Sequence, residues 1–293
     1  MAQPKGIKEY IQSLMASKRL GDQVVHHMVI PDHAPVLSKP EKPWPKQINT
    51  IIKSAKIHDL YQHQADAVDL IRSGRHLVVA TPTASGKTLI YNLPVLENVL
   101  KNPESKALYI FPLKALAQDQ LRTFKEMAGT DGRKKKPTIE IYDGDTTAWH
   151  RKRIRQASPN ILLTNPEMIH LSLLAHHHKW ADFIRGLDVV VVDEVPTYRG
   201  IMGSHMAQVF RRLVRVCRHC GSDPTFVFTS ATVANPGELA RQLTGLSVSV
   251  VDGSEAGRGE RYTVLIDAAD ETARAAILLL KAALHRRLRT IVY

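Results

Sequence analysis

The sequence predicts an α/β fold with a mainly parallel sheet and helices on both faces. The runs 77–79 and 189–192 are apolar without alternation, which indicates strands that are covered on both sides. Short β-rich runs alternate with longer stretches of helical spacing, such as 89–100 and 113–127. Because this order is β then α throughout, a doubly wound sheet is favoured.

The pattern predicts strands at 76–80, 107–111, 138–142, 161–164, 189–192 and 225–229. Residues 1–57 are expected to be an extension, because two proline-bearing stretches, 31–35 and 39–45, exclude a continuous helix. The main domain is expected at 58–258. Residues 259–293 contain a further predicted strand at 262–267, a helix at 273–288 and a strand at 290–293, and are expected to begin a second unit.

The composition points to a nucleic-acid partner and away from a membrane. Among 293 residues, 40 are Lys or Arg and 28 are Asp or Glu, a net charge of +12. The N-terminus has no apolar signal core, and no apolar run is long enough to span a bilayer. Since only Cys217 and Cys220 are present, a disulfide framework is disfavoured, and a cytoplasmic location is expected.

A phosphate-binding loop is predicted after the first central strand, where Thr81-Pro-Thr-Ala-Ser-Gly-Lys-Thr88 precedes a helix. Lys87 would neutralise the outer phosphates of ATP, and the Thr88 hydroxyl would bind Mg²⁺. The remaining contacts are expected from the backbone of Thr83, Ala84, Ser85 and Gly86. The usual glycine at the first position is replaced by Thr81, so the strand–turn–helix context carries part of this prediction.

An acidic pair follows the buried run 189–192. Asp193 and Glu194 would point into the crevice at the carboxyl ends of the parallel strands, beside the phosphate loop. Asp193 is expected to hold Mg²⁺, and Glu194 to orient and deprotonate the attacking water. Lys87 and Glu194 are therefore the predicted catalytic residues.

Taken together, the motifs resemble those of DEAD/DEAH-box superfamily 2 DNA helicases, and more closely the RecQ-related helicases of the mitomycin-repair-factor type. The resemblance implies an N-terminal RecA-like P-loop NTPase lobe of an ATP-dependent helicase in DNA repair. It assigns adenine reading to Gln64 and coupling of the ATP state to strand binding to Ser230 and Thr232. It assigns contacts with the sugar-phosphate backbone of a single strand or fork of DNA, or of RNA, to Pro112, Lys114, Thr164 and Asn165.

Two departures from that family qualify the expectation. In that family, motif II begins with the acidic pair, here Asp193 and Glu194, and usually ends in histidine. This chain has Pro196 instead, which has no polar side chain to couple motif II to motif III, here Ser230-Ala-Thr232. By this resemblance, the sequence is also expected to end before the second RecA-like lobe and its arginine fingers, which are worth about 10³–10⁵ in rate in related phosphoryl transfer. Hydrolysis by this chain alone is therefore expected to be weak or absent.

Several alternatives remain open at the level of sequence. The chain could be a nucleotide-gated nucleic-acid binder without hydrolysis, or an unrelated P-loop kinase or transferase. The basic run 151–155 could contact phosphates or be a solvated helix face. Trp149 could stack on a base or serve in packing.

Overall fold

The computed structural model describes residues 6–81, 85–129, 136–231, 233–253 and 257–293. The chain divides into two compact units, one formed by Pro35–Ala256 and the other by Met1–Ala34 with Gly257–Tyr293. This division differs from the expected boundaries at 57/58 and 258/259. Residues 35–57 lie in the large unit, and the earlier residues pair with the C-terminal segment instead of forming a separate extension.

The strands are β1 Val24–Ile30, β2 Leu37–Ser38, β3 Leu60–Tyr61, β4 Leu77–Ala80, β5 Lys106–Ile110, β6 Ile139–Tyr142, β7 Ile161–Thr164, β8 Leu187–Val192, β9 Thr225–Ser230, β10 Ser249–Asp252 and β11 Arg261–Ile266. The helices are α1 Ile7–Met15, α2 Lys46–Ser54, α3 Gln62–Arg72, α4 Lys87–Lys101, α5 Lys114–Gly129, α6 Ala148–Ala157, α7 Pro166–Met168, α8 Ala181–Arg185, α9 Gly200–His219, α10 Pro236–Thr244 and α11 Thr272–His285. Across the described ranges, no helix combines the length and apolar character needed to cross a bilayer.

A seven-stranded sheet forms the centre of the large unit, in the order β10-β4-β9-β8-β5-β7-β6. Every neighbouring pair in it is parallel. All six strands predicted between residues 76 and 229 are present, with ends that differ by at most two residues, and the predicted fold class is confirmed. The edge strand β10 was not predicted, because its run Ser249-Val-Val-Asp252 is short and half polar.

Helices cover both faces of this sheet because alternate strand residues enter two different cores. Val189 and Val191 of β8 pack into the core beneath α2, α3, α4 and α5. Val190 and Val192 of the same strand pack into the opposite core, with α9 and α10. An apolar run without alternation is therefore the natural sequence of this strand.

Helix α2 explains why residues 35–57 belong to the large unit. Ile48, Ile51 and Ile52 lie on one helical face and are buried in the core beneath the sheet. The prolines at 40, 43 and 45 all precede this helix, so they exclude a longer helix but not this one.

The smaller unit is built on an antiparallel pair between β1 and β11. Leu14 of α1, Leu20 and Ala275 of α11 form its small core. The strand predicted at 290–293 is not formed, because no strand in the described part of the chain pairs with it, and an unpaired segment gains no ladder hydrogen bonds.

Phe228 offers a test of the core behind the phosphate crevice. Its ring is fully buried in β9, so Phe228→Ala should lower the free energy of unfolding of the large unit by about 3–5 kcal/mol. Intrinsic fluorescence in a urea titration measures this unit selectively, since the three tryptophans, Trp44, Trp149 and Trp180, all lie within it. The control Leu171→Ala removes a half-exposed side chain and should change the value by less than about 0.5 kcal/mol.

Candidate nucleotide and strand-binding site

Three neighbouring strand ends meet at the centre of the sheet. Strand β9 lies between β4 and β8, and its register pairs Ser230 with Ala80 on one side and Phe228 with Val192 on the other. The loop after β4 leads to Lys87, and Asp193 follows β8 directly. Because all three strands are parallel, the motifs predicted from separate parts of the sequence lie at one crevice.

The N-terminus of α4 carries the predicted phosphate-binding residues. Gly86 immediately precedes the helix with φ of 75° and ψ of 30°, a left-handed conformation that favours glycine. A Cβ at this position would also collide with Gln64 Nε2. Lys87 and Thr88 then occupy the first turn of the helix, a position at which backbone N–H groups can bind an anion.

Lys87 links this helix to β9. Its Nζ donates to the carbonyl of Thr81 at 2.8 Å and to that of Ser230 at 3.1 Å. Burial lowers the pKa of the Lys87 amine, although the charges of Glu194 and Asp193 act to raise it. The ammonium group is therefore partly desolvated beside two acids.

Asp193 is held at the end of β8 by two contacts. Its backbone N–H donates to Ile110 O at 3.0 Å, and its Oδ1 accepts a hydrogen bond from the Thr229 hydroxyl. Burial raises the pKa of the Asp193 carboxyl. The hydrogen bonds from the Thr229 hydroxyl and the Glu194 backbone, and the charge of Lys87, only partly oppose this shift.

The backbone of Glu194 is strained. Its φ of 51° and ψ of 52° lie in the left-handed region, which a non-glycine residue seldom adopts. The strain turns the chain from β8 into the short helical turn Val195–Thr197, which includes Pro196. Since proline fits the first turn of a helix, its presence here is compatible with the fold.

Gln64 lies beside the phosphate loop, and its side-chain amide is used by the chain itself. Its Oε1 accepts from Tyr61 N at 3.0 Å, while its Nε2 donates to Ser85 O at 3.1 Å and Gly86 O at 3.2 Å. The amide thus ties α3 to the loop. Adenine reading by Gln64 stays a prediction and would require part of this network to exchange.

The predicted strand-binding residues gather at the ends of β5 and β7, where Ile110 is paired with Thr164. Lys114 is exposed and its Nζ lies 2.7 Å from Asp145 Oδ2, whereas Pro112 and Asn165 are half-buried. The Asn165 side chain accepts from Met168 N at 2.9 Å and caps α7.

Thr164 is buried, whereas a surface contact with nucleic acid was expected. Its side chain is 3% exposed, and its hydroxyl donates to Tyr142 O at 2.6 Å. The hydroxyl therefore fixes the end of β6 against β7 and does not reach the surface in this structure.

Three of the predicted residues, Thr83, Ala84 and Thr232, lie outside the described residues. Ser85 and Ser230 are described, and both are buried. The Ser230 carbonyl accepts from the Lys87 side chain, so Ser230 contacts the lysine through its backbone and not through its hydroxyl.

Comparison with known proteins identifies the family. The DEAD/DEAH box helicase pattern matches residues 61–239, a span that contains the phosphate loop, the acidic pair and Ser230. The chain belongs to this family. The match decides against the P-loop kinase or transferase alternative, and the predicted family is confirmed.

Two curated DEAD/DEAH box helicases illustrate the likeness in sequence. The ATP-dependent helicase YprA of Bacillus subtilis is 42% identical over 266 residues, which cover 88% of this chain and 34% of YprA. The ATP-dependent helicase HRQ1 of Saccharomyces cerevisiae is 37% identical over 257 residues, which cover 86% of this chain and 23% of HRQ1. The chain thus spans between about a quarter and a third of the length of these relatives.

A solved helicase shows the likeness in structure. The crystal structure of the DUF1998 helicase MrfA bound to DNA and AMPPNP matches with a TM-score of 0.88 and 39% identity. The match covers 97% of this chain and 40% of that one.

Sequence reasoning missed three residues at this site. Thr229 binds Asp193, Asp145 pairs with Lys114, and Gln120 Nε2 lies 3.5 Å from Thr88 Oγ1. Thr229 could have been found, because it immediately precedes motif III and is polar within a buried strand. Asp145 gave no such signal, since its partner lies 31 residues away.

Asp193 provides a test of the desolvation at the crevice. A raised carboxyl pKa means that the folded chain binds this proton more tightly than the unfolded chain, so the stability that this proton contributes is lost as pH rises through the folded pKa. Asp193→Asn keeps an acceptor for Thr229 without this charge. Its thermal midpoint should lie above that of the wild type at pH 7, and the difference should vanish below about pH 4. A variant less stable than the wild type at pH 7 would contradict the desolvated state of Asp193.

Proposed function

We propose that the chain is the ATP-binding lobe of an ATP-dependent DNA helicase, which binds ATP with Mg²⁺ and holds the backbone of a single nucleic-acid strand. The observation that carries the proposal is the position of Lys87. Its amine bonds to carbonyls at the ends of two parallel strands, within the electrostatic influence of Asp193 and Glu194. A role in DNA repair rests on the resemblance of the motifs, notably Thr197-Tyr-Arg-Gly200.

The residues at the crevice fit a magnesium nucleotide. Lys87 would contact the terminal phosphates from the first turn of α4, and Thr88 and Asp193 would hold the metal. Bound Mg²⁺ neutralises phosphate charge that develops during the reaction. The Asp193 carboxylate, desolvated and only partly compensated by Thr229 and Lys87, is an oxygen ligand of the kind that this cation prefers.

Glu194 would act on water. It directly follows Asp193 and has a left-handed backbone, and its carboxylate would orient a water molecule towards the terminal phosphate and accept a proton from it. In-line attack then transfers the phosphoryl group to water, while Lys87 neutralises the oxygens of the leaving nucleotide.

The second half of the proposal concerns the sheet edge at β5, β7 and β6. Lys114 would contact a phosphate from the start of α5, and Pro112 and Asn165 would lie along the same strand of nucleic acid. Such contacts recognise the sugar-phosphate backbone, so little sequence specificity is expected. The similar helicase MrfA, bound to DNA and AMPPNP, supports both ligands by analogy.

Nucleotide affinity tests the ATP half of the proposal. Lys87→Ala should weaken binding of Mg-ATP to the 293-residue chain by about 10- to 150-fold, the value of a charge-assisted hydrogen bond, as measured by isothermal titration calorimetry. Lys101→Ala is the matched control, because it removes an exposed lysine at the other end of the same helix and should leave affinity unchanged.

Glu194→Gln separates binding from chemistry. With a second RecA-like lobe supplied, this variant should bind Mg-ATP normally and lose about 10²–10⁴ in DNA-stimulated turnover. Equal affinity for Mg-ATP in Lys87→Ala and the wild type would refute the proposed site.

Pro196 favours a second candidate, a nucleotide-gated nucleic-acid binder without hydrolysis. It occupies the motif II position at which the family usually has a histidine that joins the nucleotide site to motif III. The turn Val195–Thr197 retains its helical form with proline, so the change removes a polar side chain while the backbone stays ordered.

The variant Pro196→His distinguishes the two candidates. If proline weakens the coupling, DNA stimulation of ATP turnover should rise by about 2- to 30-fold in the variant, corresponding to a coupling of about 0.5–2 kcal/mol. Phosphate release is measured with and without single-stranded DNA, again with a second lobe supplied. If the wild type releases phosphate only at the background rate while its DNA affinity depends on ATP, the gated binder is favoured. If DNA stimulates ATP turnover equally in the wild type and in Pro196→His, Pro196 has no effect on coupling.

A further inference from the structure

Trp149 is a large aromatic side chain that the fold leaves at the surface. It lies in the first turn of α6 and is 70% exposed. Trp180, in contrast, is buried, and Trp44 is covered by the Arg72 guanidinium at 3.9 Å from its ring centroid. Since single exposed hydrophobic residues are common, the surroundings of Trp149 decide its meaning.

The helix around Trp149 is cationic. Lys152 and Arg153 follow at the third and fourth positions, so they share a helical face with the indole. The Arg153 guanidinium lies 5.4 Å from the indole centroid and is also oriented by Glu140 Oε1 at 3.2 Å. The segment Ala148–Ala157 contains no acidic residue. An exposed ring beside the cationic side chains of Arg153 and Lys152 suits a ligand that offers both a flat π-face and a phosphate.

The position of α6 relates Trp149 to the proposed strand-binding residues. At the carboxyl edge of the sheet, Tyr142 pairs with Thr164, and Thr164 pairs with Ile110. The loop that leaves β6 after Tyr142 and enters α6 therefore extends the row of loops that holds Lys114 and Asn165. Asp145 of this loop contacts Lys114 directly, at 2.7 Å.

Hydrogen bonds hold this loop in one arrangement. The Asp143 carboxylate accepts from the backbone N–H groups of Asp145 at 3.0 Å and Thr146 at 3.1 Å. Arg151 of α6 donates to Asp143 O at 2.8 Å, and Thr147 caps the helix. The start of α6 is thus fixed relative to Lys114, which reduces the entropy that ordering Trp149 on a ligand would cost.

We propose that Trp149 stacks on a nucleobase of the strand whose backbone is held by Lys114 and Asn165, with Arg153 and Lys152 beside the adjoining phosphates. This inference rests on the proposed function and adds a base contact to a site otherwise limited to sugar and phosphate. Because every base has a π-face, the contact selects no sequence. It favours unpaired strands, whose bases are free to stack on the indole.

The experiment compares two fluorescent oligomers, a single-stranded oligodeoxynucleotide and one of equal length that is abasic throughout. Anisotropy titrations use the 293-residue chain. Trp149→Ala should weaken binding of the base-containing oligomer by about 5- to 150-fold, the effect of losing one stacked base. Trp149→Phe should retain most of the affinity. For the abasic oligomer, wild type and Trp149→Ala should bind equally.

Val250→Ala is the control for loss of an exposed hydrophobic side chain, because Val250 is 54% exposed on the edge strand at the opposite side of the sheet. Equal affinity of Trp149→Ala and wild type for the base-containing oligomer would overturn the inference. Equal weakening with both oligomers would also overturn it, since the contact would then be with the backbone. If the wild type binds neither oligomer, the strand-binding part of the proposed function fails together with the stacking. If the wild type binds, Lys114→Ala weakens binding and Trp149→Ala does not, the proposed function stands and only the stacking fails.

Discussion

The crevice at the ends of β4, β9 and β8 brings opposite charges together without neutralising them fully. In a well-satisfied ion pair, the pKa of the lysine rises and that of the acid falls. Here burial lowers the pKa of Lys87 and raises that of Asp193, so desolvation outweighs mutual attraction at both groups. Under the proposed function, a polyphosphate beside Lys87 and a divalent cation beside Asp193 would compensate these two desolvated charges. The parallel register makes this possible, because it forces a loop and two strand ends from distant parts of the chain into one desolvated space.

The nucleotide and strand-binding regions share the same sheet edge through backbone hydrogen bonds. Asp193 N donates to Ile110 O at 3.0 Å, and Phe111 N donates to Thr164 O at 3.0 Å. These bonds join β8, β5 and β7 just before the loops that contain the proposed strand contacts. On the other side, the Ser230 carbonyl contacts Lys87. These contacts tie the positions of Asp193 and Ser230 to the neighbouring strand ends.

Sequence periodicity was sufficient for the central sheet because β4, β5, β8 and β9 are buried on both faces, and short uninterrupted apolar runs are typical of such strands. It failed where an element depends on a distant partner. Strand β10 is half polar and is recognisable only beside β4, and residues 290–293 have the composition of a strand but no partner within the described chain. At the site, spacing predicted Lys87, Asp193 and Glu194, and the fold brings both acids within electrostatic reach of the lysine. The use of the Gln64 amide by the loop backbone and the strained conformation of Glu194 depend on tertiary geometry that no local pattern contains.

The proposed strand-binding edge is basic, yet its most prominent cation already has a partner. Lys114 and Asp145 are both largely solvated, so their ion pair is screened and a phosphate can replace the carboxylate at little cost. The hydrogen bond to Asp145 raises the pKa of Lys114, so the amine is charged in this pair. The backbone of the loop that supplies Asp145 is held by hydrogen bonds to the Asp143 carboxylate. A nucleic-acid strand would have to displace Asp145 from Lys114. A strand that engages several cations at once gains more from this exchange than an isolated phosphate ion does.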